Sequence, residues 1–152
     1  MLKAYIDGAC EPVNPGGTAS YGVIVYRHAL GGEDGSTPGF ELVWRFYGVV
    51  GSGPEMSNNV GEYSALLALL RWYGTAEAEE TLWVCSDSQL VVNQMIGRFK
   101  VRKGLYVPYY KKVQALLGDL VPLRVYFKWI PREENRLADE LSKQALKEAG
   151  IC

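Results

Sequence analysis

The 152-residue sequence has one histidine, His28, and three cysteines, Cys10, Cys85 and Cys152, spread far apart. These are too few and too scattered for a disulfide framework or a Cys/His zinc site. Reduced thiols are expected, with Cys85 buried in a strand; Cys152 tethering the C-terminus to another thiol is the alternative. His28, alone in an apparent hairpin, reads as a surface residue. Charge of one sign is lacking as well: 16 basic and 17 acidic side chains leave a net charge of −1. Any nucleic-acid binding must therefore come from local patches. No apolar run of eighteen or more residues suggests a membrane span, and the N-terminus enters a strand pattern without signal-peptide features. A monomeric cytoplasmic protein with no membrane contact is the default expectation. No repeat or linker divides the chain, and its length fits one domain, residues 1–152, with a real core.

What is present is an ordered run of short elements. Leu2–Asp7 reads as a strand ending at Asp7-Gly8, and Cys10–Gly17, with Asn14-Pro15-Gly16-Gly17, as a loop. Ala19–Arg27 and Phe40–Val50 read as strands joined by a Gly-rich loop over Ala29–Gly39. Three consecutive antiparallel strands are the simplest arrangement, because their connections are short. A helix follows from Ser57, then a polar break over Gly74–Glu80. Next come a strand over Thr81–Ser86, a helix over Asp87–Ile96 stopped by Gly97, and an amphipathic helix over Val107–Leu120 with Pro108 in its first turn. Leu123–Ile130 is a strand with Val125, Phe127 and Trp129 on one face. Pro131 opens a last helix to about Ala149, with Leu137, Leu141 and Ala145 inward. The predicted class is α/β: a five-stranded mixed sheet, three antiparallel strands then two parallel, with helices on both faces, in the order βββαβααβα.

The first helix organises the rest. Ser57, Asn58 and Asn59 carry capping side chains. Val60, Tyr63, Ala65, Leu66, Leu67, Leu69, Leu70 and Trp72 then leave almost no polar face, so this helix is expected to be largely buried. Glu62 sits one turn in, where a carboxylate costs several kcal/mol unless a cation or donor compensates it. A glutamate placed there by the helix dipole is the plainer reading.

Three further acids lie at element ends: Asp7 ends the first strand, Asp87 follows the fourth, and Asp139 falls in the second turn of the last helix. Each has an ordinary alternative. Asp7-Gly8 could be a turn, Asp87 a helix cap, and Asp139 a solvated partner of Lys143. Together they suggest convergence in the crevice beyond the strand C-termini. Gathered carboxylates raise one another's pKa. Hard divalent cations relieve this, and a pair of them suits in-line phosphoryl displacement.

Four motifs in order carry a family resemblance. They are Asp7-Gly8-Ala9-Cys10 with Asn14-Pro15-Gly16-Gly17, Ser57-Asn58-Asn59-Val60-Gly61-Glu62, Ser86-Asp87-Ser88-Gln89-Leu90-Val91, and Pro131 through Asp139. Across essentially the whole chain the sequence resembles the type 1 ribonuclease H family, in its archaeal-like branch. The resemblance implies a ribonuclease H-like fold and an endonuclease that hydrolyses the RNA strand of RNA–DNA hybrids. It also implies two Mg²⁺ ions (or Mn²⁺) and products with 5′-phosphate and 3′-hydroxyl ends. By that likeness Asp7, Glu62, Asp87 and Asp139 are the catalytic, metal-binding acids. Glu62 would also accept a hydrogen bond from the ribose 2′-hydroxyl, the group that distinguishes RNA from DNA. Asn14, Asn58, Asn59 and Gln89 resemble groove-contacting amides, Gly8 and Cys10 belong to the same substrate-binding set, and Ser57 would help hold a DNA phosphate.

The sequence departs from the family pattern twice. No histidine lies on the loop before Asp139; Arg132 stands there, and an arginine can stabilise phosphate charge but cannot act as a general base. The basic protrusion of some relatives is missing too. In its place is a connector carrying Arg98, Lys100, Arg102 and Lys103, either a phosphate contact or an ordinary solvated turn. The rival readings are another nuclease or polynucleotidyl transferase of this fold, a ribonuclease that also cuts double-stranded RNA, and a non-catalytic hybrid- or RNA-binding module.

Overall fold

A computed structural model gives the fold and describes residues 1–29, 39–76, 80–120 and 124–151. The strands are β1 (Leu2–Glu11), β2 (Thr18–Ala29), β3 (Gly39–Ser52), β4 (Leu82–Ser86) and β5 (Val125–Trp129). The helices are α1 (Asn58–Ala76), α2 (Gln89–Met95), α3 (Val107–Asp119) and α4 (Arg136–Glu148), with a 3₁₀ turn over Arg132–Glu134 before α4. The predicted element order is the observed one. The sheet runs β3-β2-β1-β4-β5, with β1–β2–β3 antiparallel and β1–β4–β5 parallel. None of the described helices is long and apolar enough to cross a membrane.

Helix α1 is the core of one layer. Val60, Tyr63, Ala65, Leu66, Leu69 and Leu70 are fully buried, and Trp72 stacks on Trp44 of β3 with ring centroids 5.0 Å apart. Two glycines allow it to sit directly on β1. A Cβ on Gly8 would fall 2.2 Å from the Glu62 nitrogen, and one on Gly61 would fall 2.3 Å from the Ser20 carbonyl oxygen. On the opposite face Gly22 receives α4, where a Cβ would lie 2.4 Å from the Ala138 carbonyl oxygen. Gly8 pairs with Tyr21, and Gly22 with Asp7, so these two contacts lie on opposite faces of one ladder. Helices therefore cover both faces of the sheet, as predicted.

Several boundaries differ from the sequence reading. Strand β1 continues past Asp7 to Glu11, because β2 goes on pairing with it from Gly8↔Tyr21 to Glu11↔Thr18. Asp7-Gly8 is thus mid-strand and not a turn. Its parallel neighbour β4 stops earlier, the ladder ending at Tyr5↔Cys85. Helix α1 runs on through Gly74 to Ala76, into the expected break. Pro131 does not open an α-helix: the 3₁₀ turn intervenes, α4 starts at Arg136, and Asp139 falls in its first turn. Leu137 is half exposed, because the buried stripe is Ala138, Leu141, Ser142, Ala145 and Leu146. A 3.6-residue period follows that i, i+3, i+4 set, whereas spacings of four drift off it. Trp129, at the end of β5, is exposed, whereas Val125 and Phe127 pack partly buried against the core. The expected loop over 30–38, the start of β5 at Leu123 and the terminal Cys152 lie outside the described residues. Cys85 is buried in β4, and burial pushes its thiol pKa up.

Candidate active site

Where β4 ends short of β1, the two chains part and leave a cleft of about 500 Å³. Asp7, Glu62, Asp87 and Asp139 all line it, from β1, α1, the β4–α2 link and α4. One carboxylate oxygen from each of Asp7, Glu62 and Asp87 falls within 4.8 Å of the others. Asp139 stands outside that triplet and pairs with Lys143, Nζ to Oδ2 3.2 Å. The solvated-partner reading of Asp139 and its place in the cleft are therefore both realised. The helix-cap reading of Asp87 is not: Ser88 caps α2, its Oγ accepting from the Val91 N–H.

The acids are held in an environment that opposes their ionisation. Asp7 and Glu62 are only 7% and 6% exposed. Burial, then the charge of Asp87, pushes Asp7 up to about 8, against the hydrogen bond its Oδ1 accepts from the Gly8 N–H at 2.9 Å. Burial likewise raises Glu62 to about 8; a hydrogen bond from Ser88 opposes the shift and the Asp87 charge adds to it. Asp87 is raised by burial and held back by a hydrogen bond from Asn135 and the charge of Arg132. The Glu62 Oε2 atom is buried with no hydrogen-bond partner. A buried carboxylate oxygen facing two other carboxylates, with no internal donor, suits a hard cation with oxygen ligands.

A pH dependence follows with a definite sign. Unfolded, these carboxyls titrate near their ordinary values of 3.8 and 4.5; in the metal-free fold they titrate near 8. The folded state holds the extra protons. Its stability is therefore greatest below about 4 on their account and is lost as pH rises through about 8. Thermal melts of metal-free protein should drop between pH 6 and 9, and saturating Mg²⁺ should flatten or reverse that trend.

The other sequence-predicted residues divide into two groups. Gly8, Cys10, Asn14, Asn58, Asn59 and Arg132 line the cleft. Asn14 and Asn58 bond reciprocally: Asn14 Nδ2 donates to Asn58 Oδ1 at 2.9 Å, and the Asn58 N–H donates to Asn14 Oδ1 at 3.0 Å. This clips the 12–17 turn to the start of α1. The Cys10 thiol donates to the Val13 carbonyl. Ser57 and Gln89 do not line the cleft. Ser57 is buried, with its Oγ accepting from the Val60 N–H at 3.2 Å as the cap of α1, and Gln89 is exposed on the first turn of α2. Ser88, part of the Ser86–Val91 motif, and Lys143, the expected partner of Asp139, also line the cleft; the sequence does not signal that Asn135 bonds the Ile6 carbonyl or Trp129 the Asp87 carbonyl.

With that geometry in place, the comparisons with known proteins become informative. The model of the reverse transcriptase-like family matches residues 45–145, and the chain belongs to that family. EbsB of Enterococcus faecalis, a hydrolase by name, is 30% identical over 148 residues, 97% of this chain and 95% of that protein. The bifunctional protein Rv2228c of Mycobacterium tuberculosis is 39% identical over 93 residues. That match covers 61% of this chain and only a quarter of the relative's length (25%). Its N-terminal RNase H domain superimposes with a TM-score of 0.74 at 32% identity, covering 99% of this chain and 97% of that one. LC11-RNase H1, solved in complex with an RNA/DNA hybrid, gives a TM-score of 0.78 at 28% identity, over 98% of this chain and 99% of that one. The fold is that of ribonuclease H.

Proposed function

We propose that the chain is an endonuclease that hydrolyses the RNA strand of RNA–DNA hybrids, leaving 5′-phosphate and 3′-hydroxyl ends. In this reading residues 1–152 act as one domain, as a monomer in the cytoplasm. The observation that carries it is the carboxylate triplet lining the cleft, with Asp7 and Glu62 buried and Glu62 Oε2 unpartnered. Asp7, Glu62, Asp87 and Asp139 would hold two divalent cations, Mg²⁺ or Mn²⁺. Bound there, they supply the positive charge that in-line phosphoryl displacement needs at its attacking and leaving oxygens.

The chain's own groups do the rest. Glu62, fixed on a buried helix, accepts a hydrogen bond from the ribose 2′-hydroxyl and so selects RNA. The Asn14–Asn58 pair and Asn59 present amides to base edges and sugars, with Gly8 and Cys10 in the adjoining wall; Gln89, on the first turn of α2 outside the cleft, adds an amide to the groove, and Ser57, whose Oγ caps α1, fixes the start of that helix against a DNA phosphate. Arg132, exposed at the cleft rim, keeps its charge at any working pH and stabilises phosphate without taking a proton.

A labelled hybrid, a double-stranded RNA and a DNA duplex, incubated side by side with and without Mg²⁺, test the reading. RNA should be cut in the hybrid, and only with the ion. Firm binding without cleavage would mark a binding module instead, and equal cutting of double-stranded RNA would mark a broader nuclease. On the connector, Arg98, Lys100, Arg102 and Lys103 are exposed, while Val101 between them packs on the core. If the connector contacts phosphates, neutralising two of these basic side chains should flatten the salt dependence of hybrid binding by ~1–2 units of log–log slope. An unchanged slope removes the connector from the interface.

A further inference from the structure

Asn135 is 1% exposed, and no acid–base or substrate role above uses it. Its position follows from the geometry of β1. Main-chain groups of even-numbered β1 residues point toward β4, as the Leu2 N–H shows by donating to the Thr81 carbonyl at 2.7 Å. The parallel ladder ends at Tyr5↔Cys85, so the Ile6 carbonyl points past the end of β4 with no strand to meet it. Asn135 Nδ2 takes that place, donating to the Ile6 carbonyl at 2.8 Å. The same side chain lies beside the Asp87 carboxyl and holds its pKa down against the effect of burial. Its main chain begins α4, accepting from the Asp139 N–H at 3.2 Å. One residue thus bonds the β1 residue just before Asp7, adjoins the side chain of Asp87 and bonds the backbone of Asp139. Asp87 is held from a second direction, because Trp129 Nε1 donates to its carbonyl at 3.1 Å.

We propose that Asn135 is a positioning residue that sets the spacing of Asp7, Asp87 and Asp139 for cation binding, with Trp129 as the second hold on Asp87. The proposal rests on the two-cation reading of the cleft. The chemistry favours asparagine for this task. A primary amide offers two hydrogens from one nitrogen and no charge, so it can serve a neutral carbonyl and a carboxylate together. A serine hydroxyl has one hydrogen, and an aspartate would add a fifth negative group beside the cluster. Partners that orient ligands in this way typically govern metal affinity by 10–100-fold.

The test is metal binding itself, followed by calorimetry and by Mn²⁺- and Mg²⁺-induced thermal shifts, with hybrid cleavage measured in parallel. In Asn135→Ala the dissociation constant for the metal should rise at least ~10-fold. Excess cation should restore much of the cleavage rate, while KM for the hybrid changes little. A folded Asn135→Ala variant with wild-type metal affinity, however destabilised, would reduce Asn135 to a structural role and overturn the proposal. If Asn135→Ala does not fold, Trp129→Phe decides by the same measurement, since it keeps an aromatic side chain and deletes the indole donor. Weakened metal binding in that variant supports the proposal, and unchanged binding overturns it. Wild-type protein that binds no metal would instead defeat the two-cation reading, an outcome visible before any variant is made.

Discussion

Asp7→Asn is expected to lose hybrid cleavage by at least ~1,000-fold, more than the ~100-fold that loss of an outer partner costs, while the protein becomes more stable. The two effects share a cause. Asp7 is buried beside Asp87, Glu62 and Asp139, all of which press its pKa upward. An amide of the same shape keeps an oxygen for the Gly8 N–H and removes a charge. At pH 8 and above, without metal, the gain should reach at least ~1.4 kcal/mol, the equivalent of one pH unit of proton affinity. Melting the two proteins across pH 6 to 9 checks this: the variant's curve should be the flatter one. A variant that still cuts would remove Asp7 from the catalytic set. One that is inactive but less stable would mean that the carboxylate is held by something other than repulsion and burial.

Gly8→Ala should be severe in a different way, costing ~3 kcal/mol or more and most of the activity. The sequence reading placed Gly8 among substrate contacts, and it does line the cleft. Its dominant constraint is the main chain of α1: the added Cβ would meet Glu62 nitrogen at 2.2 Å and the Gly61 carbonyl carbon at 2.4 Å. Backbone cannot yield as a flexible side chain can, so α1 must move off β1. That shift carries Glu62 away from Asp7, so stability and metal binding should fall together. Chemical denaturation and metal titration of the same variant measure both. If cleavage fell with stability unchanged, Gly8 would be a substrate contact first and a packing residue second.

The motif order and the alternation of short apolar elements were enough to anticipate the element order, the two-sided sheet and the four acids of the cleft. Each of these depends on local rules, namely capping, periodicity and turn chemistry, or on a motif read along the chain. The misplacements have a common origin. The sequence puts the end of the first strand at Asp7-Gly8, because Asp-Gly often makes a turn, and only the partner strand β2, pairing on to Glu11, keeps it extended. Leu137 was read as inward because it is apolar, but the phase of α4 is set by Gly22 beneath Ala138 and Leu141. Alternation puts Trp129 on one face with Val125 and Phe127, yet it is exposed, and its indole reaches the Asp87 carbonyl at the strand's end.

By itself, then, the sequence determined the order of the elements and singled out the four acids that line the cleft. The fold alone decided how those residues stand to one another. It set three carboxylates within 4.8 Å, left Asp139 outside them beside Lys143, and tied β1, Asp87 and α4 together through one buried amide. The reason is physical: propensity and pattern act over a few neighbouring residues, whereas these distances arise from where β4 stops, how closely two glycines let α1 approach β1, and which acceptor that leaves open for Asn135.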